Sequence, residues 1–310
     1  MKSPGALLRE AGFAVSQICW SRPSCFDFAA RKSENLIFIK VQRDIDNLSQ
    51  SDSAELKGIS RSVSAASLVI SENTREKPLE DDTVYSRYSI SAITFRTFEN
   101  VVFHKAHPLI QAGPGGYYVE INGPAIRRRR QELGLSVGKV AEMIGVSRRT
   151  LYGYERGMAK ASVTTAYNMI CTLGIPVAKP LNVFGKPLKQ HKCALLTTAK
   201  RVFAMNKVLM KIFGKFDPYA ITTFKKAPFD FVITVPEGKM KIIGAVADSN
   251  EPHLDTRVDE ILSVSKVIQA HPMLITDGKK LTNKDISCIR SEELSKIKSP
   301  EDLISNITLA

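Results

Sequence analysis

Hydrophobic and polar positions follow two different periods along the chain, and each period predicts a different kind of element. Short, continuously apolar runs such as 36–41 and 68–70 are typical of strands that are covered on both faces. Segments 54–64 and 258–269 have the length and spacing of helices that could cover such strands. Each end of the chain is therefore predicted to form a small α/β lobe.

The middle of the chain has the period of helices, with start and stop signals around each one. The predicted helices span about 125–133, 137–144, 148–156 and 163–173. A serine that can cap the helix precedes each of the last three, at Ser136, Ser147 and Ser162. A glycine follows each of the first three, at Gly134, Gly145 and Gly157. The positions expected to face a common core are Val140, Ala141, Ile144, Val146, Leu151, Tyr154, Ala166, Ile170 and Leu173.

This succession of capped helices and glycine turns, clearest over 126–157, closely resembles the Cro/cI-type helix-turn-helix family. The resemblance implies that the third helix lies in the major groove of duplex DNA, where its first turn meets base edges. The residues it implies as base readers are Arg148, Arg149, Thr150 and Tyr152. Arg148 and Arg149 could instead bind phosphate. The residues it implies as phosphate contacts are Arg127, Arg130, Lys139 and Ser147.

Two positions depart from the family pattern. Many relatives carry Gln at the start of the second helix, where it binds phosphate and braces the third helix, but Val137 stands here. Gly153 lies within the third helix, where relatives often carry a base-reading side chain. The prediction is a short or degenerate recognition sequence.

The charge distribution adds a second basic region to this picture. The net charge is +13, and residues 113–226 contain 20 Lys and Arg against 5 Asp and Glu. One continuous basic block is what a surface facing phosphates requires. A predicted helix of about 199–213 places Lys200 and Lys207 away from its apolar side, so both are expected to contact phosphate outside the major groove. A solvated charge run is the alternative for 186–226.

Five segments near the start of the chain recur, in the same order, some 196–205 positions later. The pairs are 7–13 with 208–214, 24–28 with 227–231, 36–41 with 241–246, 64–71 with 269–276 and 90–93 with 286–289. The pattern predicts a duplicated lobe.

The order of elements in each lobe resembles the restriction-endonuclease-like fold, whose acidic residues hold a divalent metal ion. Glu10, Asp27 and Lys40 match three positions of that family's site, but Phe38 replaces the acid two positions before the lysine. In the second copy Asp230 remains, while Ile243 and Ala245 replace the acid and the lysine. The expected outcome is an inactive fold with no catalytic residues, metal or cofactor; cleavage through Glu10 and Asp27 is the alternative.

With both ends considered, the chain resembles an archaeal family of helix-turn-helix transcriptional regulatory proteins. The expected fold is α+β multidomain: a nuclease-like lobe over 1–112, a helix-turn-helix domain over 113–185, and a basic connector with a second lobe over 186–310. The expected function is a transcriptional regulator that binds double-stranded DNA as a homodimer. A nuclease or an architectural DNA binder is the alternative. Five cysteines without a CxxC pair, and no apolar run that could span a membrane, predict a cytoplasmic, nucleoid-associated protein without a membrane partner. No small-molecule effector is indicated.

Overall fold

A computed structural model of the chain describes residues 2–185, 221–234, 241–247, 251–276, 285–290 and 293. They divide into two compact units. The first contains the described residues of 1–41, 48–68 and 184–310, and the second contains 42–47 and 69–183. These units do not follow the predicted boundaries, because the amino-terminal lobe contributes residues to both.

Among the described residues, the helices are α1 Pro4–Glu10, α2 Gln50–Val63, α3 Phe95–His104, α4 Gly123–Glu132, α5 Val137–Ile144, α6 Arg148–Glu155, α7 Val163–Leu173 and α8 Leu254–Ile268. The strands are β1 Ala14–Val15, β2 Phe28–Lys32, β3 Asn35–Val41, β4 Ala66–Ile70, β5 Thr83–Arg87, β6 Ile90–Ile93, β7 Ile110–Gly113, β8 Gly116–Val119, β9 Ala161–Ser162, β10 Ile221–Thr223, β11 Phe231–Thr234, β12 Lys241–Ala247, β13 His271–Thr276 and β14 Ser287–Arg290. In this part of the chain, no helix combines the length and the apolar character needed to cross a bilayer.

The first unit contains two lobes with the same order of strands. In the amino-terminal lobe, β1 to β4 lie side by side in sequence, and the first three are antiparallel. In the carboxy-terminal lobe, β10 to β13 lie side by side in sequence, and the first three are again antiparallel. A helix follows the third strand in both lobes, α2 in one and α8 in the other. This shared order supports the predicted duplication.

Asp27 lies just before β2, where three hydrogen bonds fix its position. Its amide donates to the Ile39 carbonyl at 2.8 Å, and its carbonyl accepts from the Cys19 amide at 2.7 Å. Its Oδ2 accepts from the Val41 amide at 2.6 Å. A short polar side chain thus ties the start of β2 to the end of β3.

Asp230 makes the same three contacts at the start of β11. Its amide donates to the Gly244 carbonyl at 2.8 Å, and its carbonyl accepts from the Phe224 amide at 2.7 Å. Its Oδ2 accepts from the Val246 amide at 2.8 Å. The two lobes therefore share detailed backbone geometry as well as strand order.

The second unit joins a sheet to a helical domain. Its strands lie in the order β6-β5-β7-β8-β9. Strand β8 pairs with β9, with Val119 opposite Ala161, and both residues are buried in the core of the helical domain formed by α4 to α7. Because β9 leads directly into α7, backbone hydrogen bonds attach this domain to the sheet.

The four predicted central helices are confirmed, with ends that differ by at most two residues. One position on the predicted inner face of α7 is wrong. Met169 is fully buried, whereas Ile170 is 41% exposed. Because α7 packs against α4 and α5, the face that contains Ala166, Met169 and Leu173 lies against the core. The spacing of these three residues also fits one helix face.

Candidate nucleic-acid interface

Helices α4 to α7 enclose one apolar core, which fixes how α6 is presented. The buried residues of this core are Val119, Ile121, Ile126, Val140, Ala141, Ile144, Leu151, Tyr154, Ala161, Ala166, Met169, Leu173 and Val177. The start of α4 also lies directly against the end of α6. A Cβ atom at Gly123 would lie 2.4 Å from the carbonyl oxygens of Tyr154 and Glu155. Only glycine therefore allows this close approach of the two helices.

Serine caps set the starts of α5, α6 and α7, as predicted. The side chains of Ser136, Ser147 and Ser162 each accept from the amide three residues later at 3.1 Å. The helices α5 and α7 end at Gly145 and Gly174, both in the left-handed conformation. Each cap leaves other first-turn amides unbonded, and the helix dipole makes such an end attractive to anions.

Arg148 and Arg149 occupy the first turn of α6, and both side chains are exposed. On the opposite side of the helix, Leu151 and Tyr154 are 0% and 6% exposed and face the core. In the described part of the domain, the ion pairs are formed by other cations, namely Arg129, Arg130 and Lys139. The charges of Arg148 and Arg149 are therefore available to an external anion.

The other two predicted base readers differ in availability. Tyr152 is 46% exposed, and the Arg156 guanidinium lies over its ring, 4.5 Å from the centroid. Thr150 is only half exposed, and its hydroxyl lies 2.8 Å from Ser147 Oγ within the cap of the same helix. Tyr152 is thus partly exposed beside the Arg156 guanidinium, whereas the Thr150 hydroxyl is already engaged.

The Arg148 side chain lies across Gly138 on the neighbouring helix α5. A Cβ atom at position 138 would be 2.7 Å from Arg148 Nε and 3.0 Å from its Cζ. Gly138 therefore leaves the space that the guanidinium occupies beside the start of α5. Sequence reasoning missed this role. The available signal was a glycine in the first turn of a helix, where its low helix propensity requires another explanation.

Arg130 does not fit its predicted role as a phosphate contact. Its guanidinium binds the Glu155 carboxylate through two bonds, Nε–Oε1 at 2.6 Å and Nη2–Oε2 at 3.2 Å, and also donates to the Leu135 carbonyl at 2.9 Å. The side chains of Arg130 and Glu155 are only 11% and 5% exposed. The bond to Glu155 raises the pKa of Arg130. Arg130 is thus an internal link between α4 and α6.

The remaining predicted phosphate contacts on this domain are at the surface. Arg127 is exposed, and the exposed Lys139 lies 3.2 Å from Glu142, a pairing of little strength in water. Ser147 serves as the cap of α6. Lys200 and Lys207 lie outside the described residues.

The acidic residue of the amino-terminal lobe is neutralised by the lysine predicted beside it. Lys40 Nζ lies 2.7 Å from Asp27 Oδ1, while Oδ2 is taken by a backbone amide. Phe38, at the missing acidic position, is fully buried. Glu10 pairs with Lys2 at 2.6 Å on the surface. Among the described residues, no group of three His, Cys, Asp or Glu side chains is placed to hold a metal ion.

The equivalent acid of the carboxy-terminal lobe is neutralised by two arginines. Arg22 Nη1 and Arg257 Nη2 lie 2.7 Å and 2.8 Å from the two oxygens of Asp230. Arg257 is 2% exposed and also pairs with Glu251 at 2.8 Å. Sequence reasoning identified Asp230 but missed both arginines, which lie elsewhere in the sequence.

A capped, arginine-bearing helix held by three others defines a helix-turn-helix domain, and comparison with known proteins agrees. A helix-turn-helix sequence profile matches residues 126–179, and a profile of the PD-(D/E)XK superfamily domain matches residues 2–108. A chain of the SinR protein/SinI protein complex is 24% identical and covers 29% of this chain and 88% of that chain, with a TM-score of 0.16 that is too low to support an inference.

Relatives align along almost the whole chain. HTH-type transcriptional regulatory proteins of Methanocaldococcus jannaschii and Methanosarcina barkeri are 31% and 30% identical, over 97% of this chain and 93% of theirs. One from Methanococcus vannielii is 33% identical, over 97% of this chain and 94% of its own. The chain belongs to this family of HTH-type transcriptional regulatory proteins.

Proposed function

We propose that this chain regulates transcription by placing α6 in the major groove of duplex DNA, in the nucleoid of the cell. The observation that carries the proposal is the exposed pair Arg148 and Arg149, at the capped start of a helix that a buried core holds in place. Arginine is the common bidentate reader of guanine O6 and N7. Arg149 and Tyr152 face base edges in this arrangement.

Arg148 lies beside the start of α5, the helix that also carries Lys139, because Gly138 leaves room for it. This position favours a phosphate at the amino-terminal end of α5, where the helix dipole and first-turn amides add to the two cations. Arg127 supplies a further phosphate contact from α4. These contacts position the domain, while Arg149 and Tyr152 supply the sequence preference.

The test is binding of Arg148→Ala, Arg149→Ala and the double variant to a duplex selected from the native genome. The double variant should lose at least about 30-fold in affinity, since one specific contact contributes about 1–3 kcal/mol. Arg96→Ala is the control, because Arg96 is 77% exposed on α3, outside the helical domain formed by α4 to α7. Unchanged duplex affinity in the double variant would contradict the proposal.

The regulator acts as a homodimer in this proposal, because one recognition helix reads few base pairs and paired half-sites supply the rest. Sedimentation of the protein with a labelled operator measures the stoichiometry. Two chains for each operator are expected. One chain for each operator at saturation would rule the dimer out.

The lobes do not cleave DNA in this proposal, since Asp27 is neutralised by Lys40 and Phe38 replaces the acid that a metal site requires. A supercoiled plasmid with Mg²⁺ should remain intact with the wild type. Nicking by the wild type that Asp27→Ala abolishes would support the alternative, a metal-dependent nuclease.

A further inference from the structure

The two lobes of the first unit contact each other reciprocally. A glutamate on a helix of each lobe accepts hydrogen bonds from backbone amides of the other lobe. Glu260 on α8 of the carboxy-terminal lobe accepts hydrogen bonds from two successive amides of the amino-terminal lobe. Its Oε1 lies 2.7 Å from the Trp20 amide and 2.9 Å from the Ser21 amide. Glu260 is 1% exposed, so this contact is shielded from water.

The reverse contact has the same chemistry. Glu55 on α2 of the amino-terminal lobe accepts from two successive amides of the other lobe, with its Oε2 at 2.9 Å from the Lys225 amide and 2.7 Å from the Lys226 amide. Each of these three residues lies 205 positions after or before its counterpart in the first contact. Equivalent residues thus exchange equivalent hydrogen bonds.

A second contact is also reciprocal, at the carboxyl ends of the two helices. Arg31 donates to the carbonyl oxygens of Val267 at 2.6 Å and Ile268 at 3.1 Å, at the end of α8. A cation at this end of a helix also complements the helix dipole.

On the other side, the end of α2 receives the matching bonds. Thr234 Oγ1 donates to the Ser62 carbonyl at 3.3 Å, and Lys241 Nζ donates to the Val63 carbonyl at 3.1 Å. Ser62 and Val63 again precede Val267 and Ile268 by 205 positions. Each helix therefore ends against the hairpin of the other lobe.

Phe26 of the amino-terminal lobe and Phe229 of the carboxy-terminal lobe lie close to each other between these reciprocal contacts. They are counterparts, each directly before the equivalent aspartates, and both are fully buried. Their ring centroids are 6.3 Å apart. A residue that contacts its own counterpart lies close to a two-fold axis, as in the interface of a symmetric dimer.

We propose that the two lobes form a dimer within one chain, with each lobe as the docking partner of the other. In each lobe, the docking face consists of the helix after the third strand and the hairpin of the second and third strands. This face fits a second lobe of the same fold, which the chain itself supplies. Two chains that assemble on DNA consequently do so through a different surface. This inference is independent of the proposed DNA contacts.

A disulfide across the lobe contact tests the proposal in the full chain. The Gln17 amide lies 2.8 Å from Ser263 Oγ, so Gln17→Cys with Ser263→Cys should form a disulfide on mild oxidation. The expected product is a single chain by mass under denaturing conditions, with a 17–263 link in the digest, at every protein concentration. Each single-cysteine variant controls for the native cysteines.

A link between two chains, or no link in a folded protein, would overturn the proposal. If the first pair of substitutions prevents folding, Ser62→Cys with Thr234→Cys probes the reciprocal contact, where Thr234 Oγ1 lies 3.3 Å from the Ser62 carbonyl. The same single-chain product is expected, and a covalent dimer would again contradict the inference.

Discussion

The helix-turn-helix domain and the paired lobes both contain candidate cations for a nucleic-acid contact, but these cations differ in whether they have an anionic partner within the chain. In the domain, Arg148 and Arg149 are exposed at the first turn of α6. In the lobes, Lys40 and Arg257 lie against carboxylates that, in a nuclease, would bind metal. Residue type alone therefore does not define a nucleic-acid contact. A cation is available to nucleic acid only if it is not already paired with a carboxylate of the same chain.

The strongest test of this contrast replaces Arg257. Arg257→Ala should lower the free energy of unfolding by about 3 kcal/mol, because it leaves Glu251 without this buried partner and Asp230 with Arg22 alone. Duplex affinity of the folded protein should not change. Urea denaturation followed by circular dichroism measures the first effect, and fluorescence anisotropy with labelled duplex measures the second.

The exposed Arg149 is the matched control for that experiment. Arg149→Ala should change the free energy of unfolding by less than about 0.5 kcal/mol and lower duplex affinity instead. If both variants reduced stability equally, the proposed division between internal and available cations would be wrong.

The sequence predicted what depends on neighbours along the chain. Caps such as Ser136 and Ser147 and stops such as Gly145 act within one helical turn, so the helix ends followed directly from residue types. The likeness of the two lobes was also predicted, because a duplication repeats its pattern along the chain.

The sequence did not predict what depends on which elements pack together. Four successive arginines gave no sign that Arg130 faces Glu155, 25 positions away. The choice between Met169 and Ile170 likewise depended on the direction from which α4 and α5 meet α7. The sequence shows Glu55 and Glu260 at equivalent positions of the repeat. Their role as hydrogen-bond acceptors for the other lobe became evident only from the contact between the lobes.

Two arginines on α4 provide the second test, within a single helix. Arg130→Ala should lower the free energy of unfolding by about 2 kcal/mol, since Glu155 would remain buried without a charged partner. Arg127→Ala should leave stability unchanged and weaken binding of all duplexes alike, with a smaller dependence on salt. Thermal melting and a salt titration of affinity separate the two effects. An unaltered salt dependence in Arg127→Ala would remove Arg127 from the phosphate contacts.

Gly138→Ala provides a smaller and more specific test of how Arg148 is positioned. The new methyl group should displace the guanidinium and lower duplex affinity by about tenfold, the loss of one charge-assisted contact of about 1.5 kcal/mol. Stability should be equal or higher, because alanine favours a helix over glycine. In the Arg148→Ala background the same substitution should leave affinity unchanged. A similar loss in both backgrounds would mean that Gly138 acts without Arg148.

The smallest expected effect concerns acid, at a charge pair that joins the lobes. Burial raises the pKa of Asp52, but hydrogen bonds from Lys226 and Ser49 outweigh it, so the pKa is lowered overall. Lys226 Nζ lies 2.6 Å from Asp52 Oδ1. A lowered pKa in the folded state means that the pair stabilises the fold above the unfolded value of about 3.9 and that this contribution is lost as the pH falls through the folded value. Asp52→Asn should therefore melt at a lower temperature than the wild type at pH 6, and the difference should shrink below pH 4. A constant difference across this range would show that Asp52 stabilises the lobe pair without its charge.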